Sequence, residues 1–235
     1  LKKINLGNVT SAAFAQKSET LYFLTDEVPT EESKLQVALY AFTPGKVELK
    51  AGFTSPIADP TLFVSEDENM VFVYDRVEGD LFLVNLVESS RKKIMTLQGV
   101  KDVRVSTDGA TLMVGTRFSD SETLVAYEFY SLAGEQKGAS SIVGMPGAAI
   151  WYDSGTVIFA TPGEYNPLEG KKINGSAKID VIRTGETSLI KYDTAMKTYV
   201  QLYESKTPLS RVEVNDEGVV RFGDEEKVWE MRIKE

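Results

Sequence analysis

The chain has no histidine and no cysteine. Their absence excludes an imidazole general base, a thiolate nucleophile, a zinc site built on Cys or His, and any disulfide. A closed fold of 235 residues does not depend on cross-links, so the missing cysteines leave the compartment open. Positive charge is in short supply: 26 Lys+Arg stand against 35 Asp+Glu, a net charge of −9, and no nucleic-acid partner is expected. Long apolar runs are lacking as well. The longest, Ile142 to Tyr152, is too short to span a bilayer and is broken by Gly144, Pro146 and Gly147, so no membrane insertion by this chain is expected. Neither common glycine-rich phosphate loop occurs, and Gly138-Ala139-Ser140-Ser141 lacks the second glycine of a nucleophile elbow. No cofactor and no bound metal are expected.

What is present is a globular composition, 42% hydrophobic with 10% aromatic residues. No Pro/Gly/Ser-rich linker divides the sequence, and the reading is one domain over residues 1–235. Helical apolar spacing is not sustained anywhere, whereas short alternating runs bounded by turn residues recur, which predicts an all-β chain. Five such segments read as hairpins: Ala13 to Leu24, Leu62 to Val73, Val103 to Gly115, Ile150 to Ala160 and Val212 to Gly223. Their turns, such as Thr107-Asp108-Gly109 and Asp216-Glu217-Gly218, use residues that cap their own backbone or accept positive φ. Between them lies a second repeated phrase of strand, small-residue turn, lysine and strand. Lys46, Lys92, Lys137 and Lys197 open its last strand, at steps of about 45 residues with one of about 60, the range of propeller blades.

The count gives four complete four-stranded units and a fifth, Leu209 to Glu235, that stops after three strands. The missing strand is read at the other end, where Lys3-Ile4-Asn5-Leu6-Gly7 parallels Lys92-Lys93-Ile94-Met95-Thr96-Leu97-Gln98-Gly99. The predicted architecture is therefore a five-bladed β-propeller of four-stranded antiparallel blades, closed by the N-terminal strand completing the last blade. Val105-Ser106-Thr107-Asp108-Gly109 and Val214-Asn215-Asp216-Glu217-Gly218 resemble the Asp-Gly hairpin of TolB-like and WD40-like propeller repeats. Phe42-Thr43-Pro44-Gly45-Lys46-Val47 resembles the turn before the outermost strand of the same superfamily. The resemblance spans the chain and implies the fold, not an activity. No Trp-Asp dipeptide and no Gly-His pair occurs, so the WD40 hydrogen-bond network is not implied.

In such a fold the loops between second and third strands share a face with the blade-to-blade connections. The longest of these loops is Pro162 to Lys178, and Glu164, Tyr165 and Asn166 within it are candidate binding residues. Asp59, Asp75, Arg76, Arg117 and Asp120 are further candidates on that face, joined by Asp80 and Asp102. Two readings stay open for the carboxylates: ligands for a cation or polyhydroxy compound, or turn caps on an acidic protein. Trp151 likewise either lines a channel or packs between adjacent blades.

The function these features favour is a non-enzymatic binding module whose loop-rich face takes a protein, a peptide or a small polar ligand. The alternative is a glycoside hydrolase. Ile57-Ala58-Asp59-Pro60-Thr61-Leu62 resembles the Asp-Pro segment that carries the base in five-bladed arabinanases and β-xylosidases. That resemblance implies Asp59 as base and Asp102 or Glu164 as acid. Against it stand two Trp residues in place of several sugar platforms, and no recognisable acid motif. The chain begins at Leu1, which fits either a removed leader or a boundary chosen within a longer protein. An extracytoplasmic location, periplasmic, cell-surface or secreted, is the expectation.

Overall fold

The structure, a computed structural model, describes residues 8–31, 33–118, 125–137, 142–144, 147–162, 171–173, 176–178, 187–205, 209, 211–215, 217–223 and 227–233. Its contacts separate into two compact units, Leu1–Val100 and Lys101–Glu235, each taken by itself below.

The first unit holds two four-stranded sheets. One runs in the order β1 (Val9–Ala15), β2 (Thr20–Asp26), β3 (Val37–Thr43), β4 (Lys46–Phe53). The other runs β5 (Thr61–Val64), β6 (Met70–Tyr74), β7 (Asp80–Asn85), β8 (Ser90–Thr96). Neighbouring strands are antiparallel throughout. The second unit repeats the plan with β9 (Val100–Val105), β10 (Thr111–Arg117), β11 (Val125–Ser131) and β12 (Ile142–Gly144). A further sheet is built from β13 (Ala149–Trp151) and β14 (Thr156–Pro162). After a separate two-stranded ladder of β15 (Lys171–Ile173) and β16 (Ser176–Lys178), it continues with β17 (Thr187–Asp193) and β18 (Thr198–Ser205). The last sheet has three described strands, β19 (Arg211–Val214), β20 (Val219–Gly223) and β21 (Val228–Arg232).

The sequence patterns explain the order within each sheet. Second strands such as Met70–Tyr74 and Thr111–Arg117 carry apolar residues at consecutive positions and are buried along most of their length. Fourth strands such as Ser90–Thr96 are polar and exposed, as outer edges must be to discourage edge-to-edge pairing. Between the two sheets of the first unit lie Leu24, Leu39, Phe53, Val71, Val73 and Val84. In the second unit Tyr127, Phe129, Trp151, Phe159 and Tyr192 fill one inter-sheet core, and Ile150, Ile158, Leu209, Val220 and Phe222 another.

Trp151 is thus a packing residue, set edge-on to Phe129 at 5.7 Å between adjacent sheets. Trp229, Met231 and Ile233 turn inward onto the second of these cores while Glu230 and Arg232 stay exposed.

All five expected hairpins form. Two of their turns repeat one device: Ser65 Oγ donates to Asp67 and receives Met70 N–H, and Ser106 Oγ donates to Asp108 and receives Thr111 N–H. A second repeat is a β-bulge between third and fourth strands, where Lys50, Ile94 and Leu202 are the extra residues in three sheets. Each bulge adds twist to an outer strand at the same place.

The lysine phrase is looser than expected. Lys46 opens β4 and Lys197 precedes β18, but Lys92 lies inside β8. Lys137 follows an isolated bridge of Tyr130 with Gln136, and β12 starts only at Ile142. The connection expected to end at Lys178 runs on to Thr187, because β15 and β16 pair with each other and not with the sheet. Ile4 and Leu6, the predicted closing strand, lie outside the described residues.

Candidate functional site

In the first unit the candidate residues converge on one turn. Strand β6 ends at Tyr74, and Asp75 folds back over the next residues: its Oδ1 accepts the N–H groups of Val77 and Glu78, each at 3.0 Å. Gly79, at φ 80°, closes the turn by donating to Asp75 O at 2.8 Å. The remaining Asp75 oxygen accepts Ala58 N–H at 3.0 Å, and Arg76 N–H donates to Ala58 O at 3.2 Å. The connection entering β5 is thereby tied to the turn leaving β6. Asp75 is only 3% exposed, and its charge is offset by three backbone donors, the usual solution for a buried carboxylate.

That tie presents Asp59 and Arg76 side by side. Asp59 has the left-handed φ of 47° that Asp tolerates better than most residues, and its carboxylate meets Arg76 Nη1 at 3.1 Å. Both side chains are substantially exposed, 64% for Asp59 and 48% for Arg76. Such a pair contributes roughly 0–1 kcal/mol, so a ligand can break it at little cost. Asp80 is engaged separately, by Lys93 at 2.6 Å and by Thr96 Oγ1 at 2.8 Å.

In the second unit Asp102 is 8% exposed and accepts the Tyr127 hydroxyl at 3.0 Å, with Arg104 Nε 3.3 Å away. Burial pushes the Tyr127 phenol well above its ordinary range, and the adjacent Asp102 charge pushes it further. Arg117 ends β10 in an exposed position opposite Val125. Asp120, Glu164, Tyr165 and Asn166 lie outside the described residues. Among the described residues no three acidic side chains gather as a metal site.

The structure brings together Asp59, Asp75 and Arg76, three of the residues proposed from the sequence, and sets beside Asp102 two that were not proposed, Arg104 and Tyr127. Arg104 was accessible through the alternation of a strand, which puts residues 102 and 104 on one face. Tyr127 had a fainter signal in Gly115, an isolated glycine inside a strand, which marks the close approach of another group.

Solved structures align with almost the whole chain. An acylaminoacyl peptidase from Pyrococcus horikoshii matches with a TM-score of 0.56 and 12% identity, over 92% of this chain and 37% of that one. A chain from a nidogen/laminin complex matches with a TM-score of 0.51 and 10% identity, over 95% of this chain and 75% of that one. The fold is a β-propeller. TolB from Acinetobacter baumannii is also similar, with a TM-score of 0.47 and 14% identity over 92% of this chain and 51% of that one. The propeller chain therefore spans well under two thirds of the peptidase and TolB chains. No protein-family model and no curated protein matches it.

Proposed function

We propose that this propeller is a non-enzymatic interaction module that binds a protein or peptide through the face carrying its inter-strand loops. The observation that carries the reading is the Asp59–Arg76 pair: two exposed, opposite charges on a turn held rigid by the buried Asp75. A preformed polar patch of that kind suits recognition, because little ordering remains to be done on binding. The nidogen structure, a propeller match taken from a complex with laminin, supports the same direction. The proposal includes five blades with residues 1–7 completing the last one, and an extracytoplasmic location.

The hydrolase reading draws less support. The neighbour of Asp59 is a cation and not a second carboxylate, and Asp102 is held by Tyr127 and Arg104.

Swapping the pair, Asp59→Arg with Arg76→Asp, keeps the ion pair and inverts what a partner meets. A partner recovered by crosslinking should be lost from the swapped protein, whose melting temperature should fall only slightly, because Arg suits the φ of 47° at position 59 less well than Asp. The partner should also be lost when residues 163–175 are exchanged for a short turn. Retention by both variants overturns the reading, and so does turnover of oligosaccharides that Asp59→Asn abolishes. Deletion of residues 1–7 should lower the melting temperature, and an unchanged value removes the closure.

A further inference from the structure

A pocket of ≈ 230 Å³ opens in the first unit where the end of β4 and the connection after it meet β8. Its floor is apolar: Phe53 and Ile57 are buried, and Phe82 meets Phe53 edge-on at 5.5 Å. Its wall is three consecutive cations of β8, Arg91, Lys92 and Lys93. In the ladder Arg91 stands opposite Val84, and Lys93 opposite Phe82. Strand alternation therefore puts both cations on the face that turns Phe82 toward Phe53.

The three cations are not equivalent. Lys93 is engaged by Asp80 at 2.6 Å. Arg91 lies over the Phe53 ring, 5.1 Å from its centroid, a cation–π contact that restrains the guanidinium without using its N–H donors. Arg91 and Lys92 take part in no ion pair among the described residues. On a chain of net charge −9, an unpaired Arg91 beside an apolar floor, with the unpaired Lys92 next to it in the strand, is a local positive site to which an anion is drawn.

We propose that this pocket receives a side-chain carboxylate of an acidic peptide, held by the fork of Arg91, while Lys92, turned to the other face of the strand, adds only its charge. An apolar neighbour in the same peptide covers Phe82 and Ile57. The apolar floor argues for a peptide over a bare inorganic anion, which gains nothing from it. β8 adds a second argument: it pairs with β7 alone in its sheet, so its outer backbone groups run along the same wall and can take an extended segment. This assignment deepens the interaction reading and rests on it.

The test is fluorescence anisotropy of the intact chain with a labelled short peptide of alternating glutamate and leucine. Saturable binding that weakens with salt is expected. Arg91→Gln should weaken it about tenfold or more, through loss of a bidentate charged contact. Arg91→Lys should fall between, since it keeps the charge and loses the fork. Lys92→Gln should weaken it by less, and all three variants should melt with the parent. Four results overturn the proposal: no saturable binding, equal affinity of Arg91→Gln, equal binding of the lysine–leucine counterpart, or Arg91-dependent binding of inorganic phosphate or phosphatidylserine vesicles in place of the peptide. The chain with residues 163–175 exchanged separates the two readings. Loss of the crosslinked partner with peptide binding intact supports both readings, and retention of the partner with peptide binding intact supports the pocket alone. Peptide failure beside loop-dependent partner binding overturns the pocket alone.

Discussion

The hydroxyl of Tyr127 donates to Asp102 across 25 residues of sequence and 3.0 Å of space, in a place closed to solvent. Removing the donor leaves a buried carboxylate short of a partner, and removing the charge takes the Asp102 contact from Arg104. Tyr127→Phe and Asp102→Asn are each expected to destabilise the protein by about 1–3 kcal/mol in urea unfolding. The double variant should cost less than the two single costs added, because the same interaction is lost in both. Additive costs would mean that the two groups act independently.

The same phenol sets an alkaline limit. Tyr127 has its folded-state pKa raised above 10.0, by burial first and then by Asp102. Burial raises Tyr130 too, with its hydrogen bond to Glu128 adding to the effect. A group with a raised folded pKa gives stability that is fully present below the unfolded value and is lost as pH rises through the folded one. Melting temperature should therefore hold to about pH 9 and fall above pH 10. The fall should be shallower in Tyr127→Phe, and absorbance titration should show these two tyrosines ionising after the exposed ones.

Acid acts through the hairpin turns. For Asp67 burial works upward, but the hydrogen bonds from Ser65 and Asn69 outweigh it and hold the pKa below 3.8. The bond from Ser106 does the same for Asp108, helped by Ala110 N–H. Depressed carboxylates give stability that is present above the unfolded pKa and is lost as pH falls through the folded one. The expected loss begins near pH 4 and deepens below it. Asp67→Asn should lower the melting temperature at pH 7, and the gap to the parent should close toward pH 2. Ser65→Ala, which removes the buried hydroxyl of the same turn, is expected to cost about 1 kcal/mol at neutral pH.

These turns were legible because their chemistry is local. In Ser106-Thr107-Asp108-Gly109 the hydroxyl, the acceptor carboxylate and the residue at φ 72° lie within four positions, and no distant contact is needed to read them. The Asp75 turn was half legible. Its role as a cap follows from Asp-x-x-x-Gly, but its grip on Ala58 joins segments 17 residues apart, and no spacing rule marks that bond. Lys92 misled. The lysine repeat held loosely, and β8 begins two residues before Lys92, after a turn in which Asn85 accepts from Val87 and Glu88. The pocket beside Arg91 was illegible, because it needs the end of one sheet and the edge of the next.

Gly115 tests the close packing around the Tyr127–Asp102 pair directly. It lies opposite Tyr127 in the β10–β11 ladder, and a Cβ there would meet the Tyr127 ring at 2.7 Å and Asp102 Cβ at 3.3 Å. The ring cannot retreat without breaking its hydrogen bond, so Gly115→Ala is expected to cost about 1–3 kcal/mol by overpacking. In the Tyr127→Phe background that bond is already absent and the ring is freer to shift. The cost of Gly115→Ala should be smaller there than in the parent, measured by urea unfolding of all four proteins. An equal cost in both backgrounds would place the strain in the β10 backbone and not in the phenol's hold on Asp102.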